Sequence, residues 1–326
     1  MLEGKQLILA TRPYAKEKRS TSWKATISTL LLIGLAYTVA LSPIPLLLRI
    51  PAALVTSLLL VRFFIIYHDY LHHTILQKSK LADAIFTVFG WYILAPKSIW
   101  KRSHDHHHKH NSKLFTSSIG SFPIVTLRKF RALSRLEKIN YLFIRHPLTI
   151  GFGYVFAFLW GMCILSLTRS PGKHWDSAVA LLFHFGIGAL VFATGGLTSF
   201  LVGFLLPSFV AGAMGSYLFY AQHNFPTVEF YNKEDWAYAD AALNSSSYMK
   251  MSKLMHWFTG NIGYHHIHHA NARIPFYRLP EVYAAFPEFQ QARTTSLLPH
   301  DVWQCLSLKV WDPDANRMLT RKEIRS

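Results

Sequence analysis

Two apolar runs near the N-terminus constrain this chain more than any other feature. One extends from about Ala25 to Leu41 and the next from about Ile50 to Tyr67, with Ser42-Pro43-Ile44-Pro45 breaking them apart. Each approaches the ~20 residues a helix needs to cross roughly 30 Å of hydrocarbon, where only helices and closed barrels satisfy their backbones. The pair predicts a transmembrane hairpin. Of the 326 residues, 51% are hydrophobic and 16% charged, whereas soluble domains carry roughly 25% charge.

The net charge is +17. In a soluble protein that would suggest nucleic-acid binding; here the bases fall between apolar runs, which points instead to anionic lipid headgroups on the cytoplasmic face or to an acidic protein partner. Lys5, Arg12, Lys16, Lys18, Arg19 and Lys24 place residues 1–24 in the cytoplasm by the positive-inside bias, as a basic segment rather than a cleavable leader. Cys163 and Cys305, the two cysteines, make neither a disulfide framework nor a zinc pattern.

The hairpin (25–67) returns the chain to the cytoplasm at His68. Residues 68–148 are strongly basic and form a cytoplasmic loop. Within it, 81–100 is apolar enough to tempt a membrane assignment. A full crossing there would separate the first two histidine clusters, so it reads as one interfacial or half-inserted helix. Residues 149–220 hold three more apolar runs, near 149–168, 178–193 and 197–220. Parity requires that they not all cross. The basic loop at 169–176 favours a re-entrant 149–168 followed by a crossing hairpin, and the opposite assignment stays open. Residues 221–326 read as a cytoplasmic helical cap. The expected architecture is a single all-α integral membrane domain with about four transmembrane helices, interfacial or re-entrant helices, and a cap carrying a two-metal site.

Three histidine clusters sit beside these runs: HDYLHH (68–73), HDHHHKH (104–110) and HHIHH (265–269). His68 and His72 are four apart, which on a helix stacks both imidazoles on one face. His104, His107 and His108 follow H-x-x-H-H, and His265, His268 and His269 repeat it. His223, at the end of the last run, is placed to point back at the same centre. Eight or nine imidazoles exceed what one ion holds, so the count favours two ions. Imidazole suits zinc, copper, iron and nickel alike, and the Glu-x-x-His pattern of soluble di-iron bundles is missing.

Blander readings compete. A tract such as 104–110 can be a solvated charge run or a weak metal sponge. His146, His174, His184 and His300 read as packing or surface residues, and His256 falls outside the cluster spacing. Asp69 and Asp105 are candidates to accept hydrogen bonds from ligating imidazoles and so orient them, or else plain surface acids. Asn261 is a candidate to hold a water near a metal, or to cap a helix.

These residues resemble the membrane fatty acid desaturase family. The carrying motifs are H-x-x-x-H at His68/His72 and H-x-x-H-H at His104/His107/His108 and at His265/His268/His269, in surroundings such as HDYLHHTIL, SIWKRSHDHHHKHN, FYAQHNF and WFTGNIGYHHIHHANARIPFYRLPEV. The likeness runs from about residue 7 to 290, and the surroundings look like bacterial members of the Δ12 (omega-6) type. The resemblance implies a non-haem centre of two iron ions held by these eight histidines, with His223 as an additional ligand. It also implies dioxygen as co-substrate, an acyl-chain or membrane-lipid substrate, and electrons from a ferredoxin or cytochrome. The expected location is a bacterial inner membrane, and the positive-inside bias puts the metal on its cytoplasmic face. Departures are His73, His106 and His110; His73 and His266 stand as possible substitute ligands. Hydroxylation of an alkyl chain and ketolation of a carotenoid share the same first hydrogen abstraction and are rival reactions. A non-enzymatic metal carrier would want ionisable residues through the spans, where His184 is nearly the only one between 178 and 220. Lys97, Lys101 and Arg102 are candidates to hold an anionic headgroup, to dock an acidic donor, or simply to face lipid.

Overall fold

The computed structural model describes residues 2–116 and 118–325. Helix α1 (Arg19–Leu41) and helix α2 (Leu46–Leu71) pack as an antiparallel pair around the Ser42–Pro45 break. Both are longer than their apolar runs: α1 begins at Arg19 and α2 spans Leu46 to Leu71, because the flanking residues continue the helical hydrogen bonding.

The 81–100 stretch is not one helix. Helix α3 (Lys80–Tyr92) opens with the Ser79 hydroxyl accepting from the Ala82 amide, 3.2 Å, and a new helix, α4 (Lys97–His110), starts after Pro96. Proline fixes its own φ, lacks an amide donor, and keeps the preceding residue out of the helical region. Tyr67 of α2 seals the break by donating to the Ala95 carbonyl, 2.8 Å. Gly90 is required there, since a β-carbon would meet the Tyr67 hydroxyl at 2.7 Å.

Downstream lie α5 (Arg135–Ile144), opened by a Ser134/Glu137 capping box, and the apolar α6 (Tyr154–Arg169). A continuous apolar stretch, Trp175–Ala221, then folds back on itself. Its first arm is α7 (Trp175–Ser199), and π-helical turns at Phe200–Leu205 lead into α8 (Leu206–Ala221). The reversal sits at Gly196, whose φ of +71° is a conformation that glycine alone adopts readily. Beyond it Phe204 packs on His184, ring centroids 4.8 Å apart. Arg49 of α2 donates to the Ala40 carbonyl, 2.9 Å, and to the Ser199 hydroxyl, 3.0 Å, so both hairpin turns lie at one end of the bundle. The histidine clusters lie at the other end.

The C-terminal region departs from an all-α expectation. It holds α9 (Lys253–Phe258) and α10 (His265–Ala270) but also two small sheets. In one, β1 (Tyr248–Lys250) pairs in parallel with β2 (Thr294–Ser296). In the other, β3 (Leu308–Asp312) and β4 (Arg317–Thr320) form a hairpin. The short apolar alternation of LKVWD and RMLT is a strand signal, and burying Val310, Trp311, Met318 and Leu319 against the body of the protein realises it.

Candidate metal centre

Four elements deliver nine imidazoles to one place. His68 and His72 close α2, and the side chains that follow turn away because His73 sits at φ +57° and is exposed. On α4 the buried face carries His104, His107 and His108. The intervening positions are rotated off it: Asp105 pairs with Lys101 at 2.8 Å, and His106 stacks on His110 with centroids 3.9 Å apart. His223 follows α8 directly, and α10 turns His265, His268 and His269 inward.

The nitrogens separate into two groups, His68/His72/His104/His108/His268 and His107/His223/His265/His269, within each of which the ligand atoms lie within 4.8 Å of one another. In the first, Nε2 of His104 is 2.9 Å from that of His68 and 3.1 Å from that of His108, which is 3.1 Å from that of His268. In the second, Nε2 of His223 is 3.0 Å from that of His107 and 2.9 Å from that of His265; His107 and His269 are 3.3 Å apart.

Nitrogens bonded to one ion at about 2 Å stand about 3 Å from one another, so these separations suit a shared cation. Protonation agrees. The Asp69 carboxylate and the Ser245 carbonyl can only accept, so His68 (3.1 Å) and His223 (2.9 Å) donate to them from Nδ1, and their Nε2 atoms present lone pairs. A single N–H satisfies one neighbour; a cation at the common focus satisfies all of them. Nε2 of His72 is buried with no partner among the described residues. Burial, then neighbouring imidazoles, holds His72, His104, His107, His108, His265, His268 and His269 well below the usual imidazole range. Burial also brings His223 down to about 4. All are neutral at pH 7, the form that binds metal.

Asp69 does touch a cluster histidine, and its second oxygen accepts from the Phe276 amide at 2.6 Å. Asp105 does not: one residue beyond His104 it points away, and its partner is Lys101. Asn261 neither faces the centre nor caps a helix with its side chain. It is a turn residue at φ +58° whose Nδ2 donates to the Phe276 carbonyl, 3.2 Å. Of the possible substitute ligands, neither His73 nor His266 is in either group, and His266 is buried on the far face of α10, bonded to the Phe289 carbonyl at 3.1 Å and brought to about 3 by burial. His146, His174, His184, His256 and His300 lie outside both groups. Lys97 and Lys101 are engaged with Asp83 and Asp105, and Arg102 with His174.

Sequence reading missed Trp100, which stacks on His104 with centroids 4.3 Å apart, and Ser121, whose hydroxyl is 2.7 Å from His107 Nδ1. Trp100 lies four residues before His104, a helical-face signal; Ser121 arrives from a loop and has none. An acyl slot walled by residues of the spans is what the sequence leads one to expect without naming its lining; the structure has a cavity of about 1110 Å³ that reaches His68, His104 and His265 and runs between α2, α6 and α8 past Phe64, Phe158 and Phe219.

Three long apolar helical stretches and a buried polyhistidine centre beside a large apolar cavity define a membrane protein built to hold metal. Comparison with known proteins gives the family: the fatty acid desaturase model matches residues 43–297. The fatty acid desaturase of Bacillus subtilis (strain 168) is 28% identical across 98% of this chain and 92% of its own length. The sn-1 oleoyl-lipid 12-desaturase of Anabaena variabilis is 25% identical, covering 84% of this chain and 78% of the relative. The sn-1 acyl-lipid omega-3 desaturase (ferredoxin) of Nostoc sp. is 26% identical over 66% of this chain and 61% of its own length. The chain belongs to the fatty acid desaturase family and is an oxidoreductase of that family.

Proposed function

We propose that the protein uses dioxygen to introduce a double bond into the acyl chain of a fatty acid or membrane lipid, with the whole chain acting as one desaturase domain. The observation that carries this reading is the contact between two parts: two groups of converging imidazoles open onto one end of an apolar cavity. His68, His72, His104, His108 and His268 would hold one iron ion, and His107, His223, His265 and His269 the other. Supplied with dioxygen and two electrons, such a pair provides the oxidising power that unactivated methylenes demand.

The chain's own residues hold the substrate in place. Phe64, Trp100, Phe158 and Phe219 exclude water and confine a flexible tail, so that the entropy of positioning a methylene is met by binding. Trp100 serves twice, as cavity wall and as the ring that fixes His104. Asp69 and the Ser245 carbonyl keep the Nδ1 protons of His68 and His223 away from the centre, leaving Nε2 bare, and the Ser121 hydroxyl orients the His107 ring through its Nδ1.

The membrane arrangement follows from the same pieces. The α1–α2 hairpin and the two arms of the Trp175–Ala221 stretch would make four crossings, with α3 and α6 dipping in without crossing. Positive-inside bias then sets the histidines, and the C-terminal region bearing the third cluster, on the cytoplasmic face of a bacterial inner membrane. The exposed Arg128, Lys129, Arg131 and Arg135 suit an acidic electron donor. A ferredoxin fits that description, and the Nostoc relative carries one in its name.

The test is iron analysis of detergent-purified protein, together with fatty-acid profiling of cells expressing it and a His268→Ala control. Two irons per chain and a new unsaturated fatty acid lost in the variant are expected. Iron with a hydroxylated or ketolated product would change the reaction, and an iron-free protein would overturn the oxygen-dependent mechanism.

A further inference from the structure

The cavity does not stop at the histidines. It continues along one face of α8, lined by Ser208, Ala211, Gly215, Phe219 and Gln222. Those positions recur every three or four residues, a single helical stripe. From Gln222 back to Ser208 the helix advances roughly 21 Å at about 1.5 Å per residue, room for most of an ordinary acyl tail.

At its far end the lining changes character. Tyr92, Tyr154 and His184 meet there. His184 donates from Nδ1 to the Tyr92 carbonyl, 2.5 Å, and accepts at Nε2 from the Tyr154 hydroxyl, 2.7 Å; the Tyr92 hydroxyl is in turn bonded to that of Tyr37. Both His184 ring nitrogens are thus satisfied inside the apolar part of the protein, where breaking either bond would leave an unpaired polar group. The surroundings leave the group no slack. Gly212 abuts the Tyr154 backbone so closely that a β-carbon would come within 2.7 Å of its Cα, and Gly188 abuts the Phe204 ring at the same distance.

We propose that Tyr92, Tyr154 and His184 form the floor of the acyl cavity and set the longest tail the enzyme accepts. Tyr154 and Tyr92 meet the tail's methyl end, and His184 is the positioning residue that pins both. A floor of stacked Leu or Met would yield by changing rotamer; one tied by two buried hydrogen bonds across three helices does not. The proposal rests on the acyl-substrate reading above.

The experiment titrates the purified metal-free protein in detergent with saturated fatty acids from laurate to arachidate, reading thermal stabilisation. In parallel, the chain lengths desaturated in expressing cells are profiled. Tyr154→Ala should move the length cutoff up by roughly two to four methylenes, the depth of the lost ring at about 1.2 Å per extended bond. Ala211→Phe, which fills the cavity above the floor, should move it down. Tyr154→Phe keeps the ring but frees His184, and should blur the cutoff without moving its midpoint. If Tyr154→Ala fails to fold, Ala211→Phe and Ser208→Leu decide the matter. An unchanged cutoff in the folded variants would overturn the floor. A cutoff that moves in the binding assay, in a protein whose cells make no unsaturated product, would keep the floor and overturn the desaturase reading.

Discussion

Asp69 joins His68 to Phe276 through a single carboxylate: one oxygen accepts from the His68 ring and the other from the Phe276 amide, 3.1 and 2.6 Å. The first histidine cluster is thereby tied to the segment that follows the third. Asn at this position offers only one acceptor to two donors, so one buried donor goes unpaired, at about 1–3 kcal/mol. Asp69→Asn is expected to lower metal affinity about 10–100-fold, the usual effect of losing a ligand's orienting partner. Metal retention against a graded chelator measures it.

Asp105→Ala supplies the contrast. Its half-buried, solvent-screened pair with Lys101 is worth at most about 1 kcal/mol, and it touches no cluster histidine. Metal content and activity should match the parent protein, and a loss of metal would contradict the placement of Asp105 on the outer face of α4.

His223 belongs to the group of four and is the member contributed from outside the three clusters. His223→Ala should roughly halve the metal bound, because the five-histidine group keeps its complete set while the other loses one of four neutral donors. Metal analysis of the purified variant distinguishes this from loss of both ions, which would mean the groups are not independent.

Lys309 is buried, its ammonium donating to the Arg145 and Leu306 carbonyls, and burial followed by the charge of Arg145 lowers its pKa from 10.5 to about 7. Between these values the unfolded chain keeps a proton that the folded protein gives up, so the fold gains stability as pH rises from about 7 to 10.5 and loses it on the way back. Lys309→Met, which removes the ammonium and retains the stem, should flatten this slope. Thermal denaturation midpoints of the two proteins across that range make the comparison.

Gly90→Val would press a branched side chain into the Tyr67 hydroxyl and the Ala95 carbonyl, 2.7 and 3.0 Å from a β-carbon. Overpacking of this kind costs about 1–3 kcal/mol, and it would break the bond that closes the α3–α4 turn. A lowered denaturation midpoint with weakened metal retention is expected, since α4 carries His104, His107 and His108.

Much of this was legible in the chain. Apolar run length gave the α1–α2 hairpin, and histidine spacing picked out eight of the nine residues of the two nitrogen groups, because three- and four-residue intervals on a helix have one geometric meaning, while His223 stood out by its place at the end of the last apolar run. The interrupted 81–100 stretch was readable in part: Pro96 is a local signal of a break, but apolar composition across it suggested one helix. Asp69 and Asp105 show where local pattern gives out. Each follows a cluster histidine by one position, yet only Asp69 finds the ring, because the packing of the Phe276 segment turns it inward.

The sequence by itself determined which side chains are able to bind metal and which segments are apolar enough to enter hydrocarbon, since side-chain chemistry and helical periodicity are properties of near neighbours. The division of nine histidines into five and four, the pairing of His107 with Ser121, and the cavity ending at Tyr92, Tyr154 and His184 were decided only by the tertiary structure. Each depends on the relative placement of helices far apart in the chain, and that placement is set by the summed packing of many side chains, which no local spacing encodes.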